Sequence, residues 1–410
     1  MTTPPDTQNA LLQKTKRFDM IRACCTEPIG ATFGGSGLGV IVALQFFNAQ
    51  DWQKALLASG ATIGLMFGPL VVMLIARWGI RVNRAASVLF MTAAPGFCLA
   101  AFAPTLNVFM LGVLAGIPLL TAAAPLITAI WEQNVPSTAR GRVFSQVVIV
   151  SAAVALCISL LISFVIRDDI ERFRPIFILM SLLCLGAAAA VWRIPTQPVP
   201  RSRHHASPFS SMRLMWENRM FGYLCMGQML LGIGNLATIP LRVEYLASTD
   251  RGLGHSAGLV LILTVAVPEA GRLLSTRLWG RLFDHMHFVV LRLTINLIFA
   301  ASIVFFFIPN MICIITGSLL FGIATGGGKI AWSLWVTRYA PPDKTADYMG
   351  VHTFLTGLRG IIAPQAAYAA LAVLTLQQVG WIGTALILAA TAMLLFVLPT
   401  KSDRDHAESA

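Results

Sequence analysis

Long apolar runs, separated by short polar connections, dominate the chain. They lie at about residues 22–47, 53–76, 85–104, 107–131, 143–166 and 174–192, then near 220–241, 257–278, 288–308, 311–336, 350–374 and 379–398. Each approaches the roughly 20 residues a helix needs to cross a hydrocarbon layer about 30 Å thick. None alternates with the period of two that marks a strand of a membrane barrel, so that architecture is excluded. The pattern predicts an all-α polytopic membrane protein with about twelve transmembrane helices.

The longest polar interval, RIPTQPVPRSRHHASPFSSMRLMWENRM (193–220), is rich in Pro, Ser and Arg and splits the runs six and six. The expected organisation is an N-terminal tail over 1–21, a six-helix bundle over 22–192, a linker over 193–219, a second six-helix bundle over 220–398 and a C-terminal tail over 399–410. The opening residues, MTTPPDTQNALLQKTKRFDM, hold no continuous apolar core and read as a polar tail, not a cleaved signal peptide.

Composition agrees with a bilayer environment. The 410 residues are 56% hydrophobic and 12% charged, about half the charge that covers a soluble protein. A net charge of +12 would suggest nucleic acid in a soluble chain, but here the basic residues occupy short loops, so no nucleic-acid partner is expected. Their distribution is lopsided. The N-terminal tail and alternate loops carry, among others, Lys14, Lys16, Arg17, Arg77, Arg81, Arg84, Arg193, Arg213, Arg219, Arg277, Arg281 and Arg292. The opposite loops carry only Lys54, Arg167, Arg172, Arg174, Arg242 and Arg251. This bias orients membrane helices and puts both termini in the cytoplasm, with the chain in a plasma or bacterial inner membrane. The seven cysteines all fall in apolar runs without metal-binding spacing; neither a metal site nor a cofactor is expected.

The two parts of the chain resemble each other. LIARWGIRVNR (74–84) follows the second run and RLWGRLFDHMHF (277–288) the eighth; PSTARGRVFS follows the fourth and PPDKTADYMG the tenth. Aligning Ala76 with Asp284 and Pro136 with Pro342 gives offsets of 208 and 206 residues, about half the chain. Weak internal symmetry of this kind marks transporters built from structural repeats. The loops themselves resemble the signature of the major facilitator superfamily, G-x-x-x-D-[RK]-x-G-x-[RK]. In the first copy Arg77, Gly79 and Arg81 fit, while Val72 and Ala76 replace the glycine and aspartate. In the second, Gly280 and Asp284 fit, while His285 and His287 replace the basic residue and second glycine. A carboxylate near a helix end with guanidinium groups close by forms a charge-assisted latch. The resemblance makes Arg77, Gly79, Arg81, Gly280 and Asp284 gating candidates; the plainer reading is that the arginines mark the cytoplasmic side. The family's arginine opening the fourth helix is missing from PTLNVFMLGVLAG, and its fifth-helix glycine-proline signature from VVIVSAAVALCISLLISFVI, which weakens a drug–proton antiport assignment.

Few ionisable residues remain inside the runs: Glu27, Glu269, Arg272, Lys329 and Arg359. Such groups face a cavity or one another and mark transport paths. Arg272 follows Glu269 by three residues, so the two pair on one helix face. His352 precedes Arg359 by seven and lies on nearly the same face. Gln228 and Asn235 form a polar stripe continued by Arg242. In the family fold, the first, fourth, seventh and tenth helices line the cavity, which makes Glu27, Gln228, Asn235 and Lys329 candidates by resemblance. Lys329 follows Gly326, Gly327 and Gly328, which permit local unwinding or close helix approach, and precedes Trp332 and Trp335, a potential aromatic wall. Its ammonium either snorkels to headgroups, meets a substrate anion or Glu269 in the cavity, or pairs within the protein. The glycines of the first helix (Gly30, Gly34, Gly35, Gly37, Gly39) suit close packing.

The expected function is secondary active transport of a small solute, anionic or zwitterionic, by alternating access in a monomer. No nucleotide-binding G-x-x-x-x-G-K-[ST] occurs, so an ion gradient drives it, with the proton as the expected coupling ion and Glu27 or Glu269 its carrier. A membrane enzyme would need a catalytic cluster that the sequence lacks. The alternative is a transporter-like sensor that binds a solute without moving it.

Overall fold

The computed structural model describes residues 5–33, 37–198, 212–336 and 345–396. Gly34, Gly35, most of the linker (199–211) and the C-terminal tail lie outside the described residues. The first half of the chain comprises α1 (Pro5–Phe33), α2 (Leu38–Gln45), α3 (Asp51–Trp78), α4 (Val82–Ala101), α5 (Leu106–Ala122), α6 (Ala124–Asn134), α7 (Ser137–Val165) and α8 (Phe173–Trp192). After a short α9 (Leu214–Glu217) come α10 (Arg219–Ala247), α11 (Ala257–Leu261), a π-helical turn (Ile262–Ala266), α12 (Val267–His285), α13 (Phe288–Phe306), α14 (Met311–Leu334), α15 (Thr345–Ala370) and α16 (Leu376–Leu395).

Among the described residues, ten helical stretches are long and apolar enough to cross a membrane, and eleven if α1 and α2, bent by 42° to each other, form one span. The protein is therefore all-α and polytopic. The run expected over 350–374 forms α15, but Arg359, His352, Gln365 and several threonines dilute its apolar content.

Helix ends follow from local chemistry. The first amides of a helix lack partners. Gln50 and Gln53 supply them at α3, Thr375 and Gln378 at α16 through a reciprocal capping box, and the Asn310 carboxamide at α14. α3 stops at Gly79, whose φ of 66° is left-handed, a conformation that glycine adopts without the Cβ penalty.

α1 begins at Pro5, within the expected N-terminal tail, and two of its polar residues find partners in α6: the Trp131 indole donates to Asp19 (3.0 Å) and the Asn134 amide to Thr15 (3.0 Å). These contacts bury Asp19 and Thr15. A sequence window sees polarity there, but α6 provides the partners.

We call the face where α1 begins proximal and the opposite one distal. In the first half α4 packs on α5 and α8, α3 on α5, and α1 on α7 and α8; in the second, α12 and α13 pack on α14, and α10 and α13 on α16. Close approach needs small residues: a Cβ on Gly96 would lie 2.7 Å from the carbonyl of Gly112 in α5. Phe33, Phe97, Phe109, Phe173 and Phe177 interlock by edge and tilted ring contacts in the first half. Three seams join the halves: α3 on α15, α2 on α10, and α7 on α11, the π turn and α12.

Candidate functional site

Glu27 comes from α1, Glu269 and Arg272 from α12, and Lys329 from α14. Pro268 lies at the start of α12 directly after the π turn; the wider turn accommodates a residue without an amide hydrogen, and such turns re-aim side chains at functional sites. Arg272 then bridges two carboxylates, 2.5 Å from Glu269 and 3.3 Å from Glu27. The ammonium of Lys329 lies 3.1 Å from the other oxygen of Glu27. Glu27 from the first half of the chain thus meets Glu269, Arg272 and Lys329 from the second. Arg272 and Glu269 are largely covered, whereas the Lys329 side chain is 43% exposed, so the cluster has an open side.

Of the pairings open to it, the Lys329 ammonium makes one with Glu27 of α1. The triple glycine does not unwind α14, which is continuous from Met311 to Leu334. It allows close approach instead, since a Cβ on Gly327 would lie 2.7 Å from the Trp279 ring of α12.

The other sequence candidates are not in this cluster. Gln228, His352, Arg359 and Trp332 gather inside the second half with two residues that sequence reasoning missed, Arg292 and Asn296. Arg292 donates to the Gln228 side-chain oxygen (2.7 Å), and Arg359 donates to the Gln228 backbone carbonyl. Trp332 donates to Thr356 (3.2 Å), and the His352 ring lies between those of Trp332 and Trp335, at 5.1 and 5.2 Å. The two tryptophans therefore wall His352. Asn235 is half-buried on α10, with no hydrogen-bond donor to its side-chain oxygen among the described residues.

Three residues assigned to loops are also interior. Arg292 is buried in α13. Arg242 is buried in α10, donating to Ser302 (3.1 Å) with its guanidinium 4.1 Å from the Phe321 ring centre and 4.9 Å from that of Phe306. Lys54 is buried at the distal end of α3, 2.7 Å from Glu244 of α10 and 3.0 Å from Asp51. Asp51 also receives Arg251 at 2.7 Å, and the Gln45 amide donates to the carbonyls of Ala247 (3.4 Å) and His255 (3.0 Å). These contacts tie the distal ends of the halves together. The guanidinium of Arg251, outside the spans, is held more firmly protonated by its hydrogen bond to Asp51. A signal for Arg292 and Asn296 existed in their four-residue spacing within an apolar run.

Of the gating candidates, Gly79 forms the left-handed end of α3 and Arg81 is exposed at the start of α4. Arg77 lies in the last turn of α3. Gly280 has open space where a Cβ would stand. The side chain of Asp284 lies outside the described residues, as does any latch it forms. Among the described residues no group of His, Cys, Asp and Glu could hold a metal ion.

The Major Facilitator Superfamily profile matches residues 29–364. The chain belongs to this superfamily. Among solved structures it is similar to a point mutant of the nucleoside transporter NupG, at 14% identity over 95% of this chain and 100% of that one, with a TM-score of 0.74. A D-xylose–proton symporter gives 14% identity, 94% and 98% coverage and a TM-score of 0.70. The xylose transporter XylE from E. coli, in a partially occluded inward-open conformation, gives 14%, 96% and 99%, and 0.70. No curated protein matches the chain. Membership and shape identify a fold of secondary transporters, not of enzymes, embedded in a membrane and suited to small-molecule transport.

Proposed function

We propose that this major facilitator superfamily member moves a small solute across a plasma or bacterial inner membrane by alternating access, driven by a proton gradient. The single observation that carries the reading is the ionic cluster of Glu27, Glu269, Arg272 and Lys329. It is built from both halves at membrane depth and has an open side, so rocking of the halves must break and remake it. Protonation of Glu27 or Glu269 removes one of the charges holding Arg272, and a charged solute competes for the same groups. The cluster holds two acids and two bases, a balance that favours a zwitterionic solute over a purely anionic one: its acid would meet Lys329 or Arg272 and its amine Glu27 or Glu269.

On this reading α1 with α2 forms the first span and α15 the eleventh, which with the ten others makes two six-helix halves with both termini cytoplasmic. The proximal face is then cytoplasmic, the distal ion pairs close the external side, and the monomer is the transporting unit. The three structural neighbours named above are a nucleoside transporter, a D-xylose–proton symporter and a xylose transporter, and all handle small polar solutes.

Uptake into proteoliposomes of an amino-acid-like zwitterion panel, read by mass spectrometry with and without a pH gradient, tests the proposal. Stimulation by the gradient is expected, with loss of that stimulation in Glu269→Gln or Glu27→Gln. Gradient-stimulated uptake in both variants, equal to that of the unsubstituted protein, would overturn the proton-carrier assignment. Absence of uptake of any panel member would overturn the zwitterion assignment.

A further inference from the structure

Arg81, Arg84 and Arg193 converge on the proximal face of the first half, where the start of α4 meets the chain leaving α8. Together with Trp192 and Thr196 they line an open cavity of about 220 Å³. Hydrogen bonds fix its walls. The Asn83 carboxamide donates to the Trp192 carbonyl (3.0 Å) and accepts from the Thr196 hydroxyl (2.8 Å), whose oxygen accepts from the Asn83 backbone amide (3.0 Å). The backbone at Arg81 pairs with that at Pro198. The cations are held in place as well as gathered. The Arg84 guanidinium lies over the Trp192 ring, 5.7 Å from its centre. Arg193 donates to the Ala189 carbonyl (3.2 Å) and lies 6.0 Å from the centre of the Phe18 ring. All three arginines are exposed, and a guanidinium has five N–H donors, so these contacts leave donors for a ligand rich in acceptor oxygens.

Beyond the cavity the surface turns apolar. α4 and α8 lie antiparallel, joined by hydrogen bonds from Ser87 to the Ala188 carbonyl (2.7 Å) and from Ser181 to the Ala94 carbonyl (2.9 Å). Val88 and Met91 follow Arg84 by four and seven residues on one face of α4. Leu185 and Leu182 precede Trp192 by seven and ten on one face of α8, and all four are exposed. An apolar strip from two adjacent helices thus runs from the cationic cavity towards the membrane centre. The exposed rings of Trp78 and Trp192 mark the level of the headgroups, where such side chains collect. A basic pocket between membrane helices at that level suits an anionic headgroup, and guanidinium groups grip phosphate oxygens through paired hydrogen bonds.

We propose that this cavity binds the headgroup of an anionic phospholipid from the leaflet on the proximal side, with the phosphodiester between Arg84 and Arg193, Arg81 at the rim and the acyl chains along the α4–α8 strip. The site is separate from the cluster of Glu27, Glu269, Arg272 and Lys329, and its occupancy does not depend on the solute or on the proton gradient. Because Arg193 and Thr196 belong to the segment that follows α8, the bound lipid anchors the point where the linker leaves the first half.

Native mass spectrometry of the full-length protein in neutral detergent, titrated with phosphatidylglycerol or with phosphatidylcholine of the same acyl chains, tests the site. Each arginine near a membrane surface is worth about fivefold in affinity for anionic lipid, so the first phosphatidylglycerol should bind at least about tenfold more tightly than phosphatidylcholine. Arg84→Gln should weaken that binding about fivefold and Arg84→Gln/Arg193→Gln about 25-fold, with phosphatidylcholine binding unchanged. Arg277→Gln/Arg281→Gln, which removes two exposed cations from the proximal part of α12, should keep the preference. Glycerol 3-phosphate in excess, a headgroup without tails, should not displace the lipid. Equal binding of the two lipids by the unsubstituted protein would overturn the proposal, as would an unaltered preference in Arg84→Gln and in the Arg84/Arg193 double variant. An equal loss in the two double variants would overturn it too, since diffuse surface charge would then suffice. Displacement by glycerol 3-phosphate would give the cavity to a soluble phosphate and not to a lipid.

Discussion

Replacing Lys54 with methionine isolates the distal ion pair. The Lys54 and Glu244 side chains are 4% and 2% exposed, and they come from α3 and α10, on opposite sides of the seam. Lys54→Met removes the cation and leaves the Glu244 carboxylate buried. Breaking such a pair by deleting one partner costs about 3–5 kcal/mol. In a rocking transporter this cost falls on the distally closed state alone, because opening the seam lets water reach Glu244. At about 1.4 kcal/mol per tenfold change, even the lower figure moves the closed-to-open ratio by roughly 10²-fold. The rim pair contributes far less. Arg251 and Asp51 are 44% and 31% exposed, and exposed pairs are worth about 0–1 kcal/mol, so Arg251→Ala should shift the ratio by less than about fivefold. Spin labels at Phe102→Cys and Val373→Cys, both exposed at the distal ends of α4 and α15, report the opening in a background cleared of native cysteines. Lys54→Met should lengthen the distance distribution measured by double electron–electron resonance. The double variant Lys54→Met/Glu244→Leu should restore most of the short distance, since an apolar pair of similar volume often replaces a buried ion pair at no net cost. An unchanged distribution in folded Lys54→Met would refute the assignment of this pair as the distal lock.

Three further outcomes follow from the geometry. Arg272→Lys should leave melting within about 1 kcal/mol of the parent yet abolish solute uptake in proteoliposomes, because one ammonium cannot reproduce the planar fork that spans Glu27 and Glu269. Gly79→Ala should destabilise by about 1–2 kcal/mol, since φ is 66° there, whereas Gly280→Ala, facing open space inside α12, should stabilise by up to about 1 kcal/mol; thermal melting in detergent checks both. Gly327→Ala should cost about 1–3 kcal/mol by overpacking, because the Trp279 ring it strikes is pinned by an indole hydrogen bond of 2.8 Å to the Ile323 carbonyl, and the loss should appear as a lower melting temperature.

The helices were legible in the sequence because a bilayer imposes a demand that any short window can test: some twenty apolar residues with few charges. The family signature was legible for a similar reason. Gly79 meets a purely local need, a left-handed turn ending α3, so it survives where Val72 and Ala76 do not fit. The pairing of Glu269 with Arg272 was readable too, since helical geometry alone brings residues three apart onto one face. Thr15 and Asp19 show where local reading stops: their polarity suggested a solvated tail, yet both are buried against partners from α6.

What the sequence determined by itself is membrane insertion and the positions of nearly all helices. Only the tertiary structure decided which charges meet. Periodicity fixes the angles between residues within one helix, but not the rotation of that helix against its neighbours. Hence nothing in the chain from 311 to 336 revealed that Lys329 would find Glu27, 302 residues away, while Trp332 turned towards His352. Hence also Lys54, Arg242 and Arg292, counted as loop cations by their distance along the chain, proved to be interior. A charge is affordable in oil only beside a partner, and packing alone decides whether one is there.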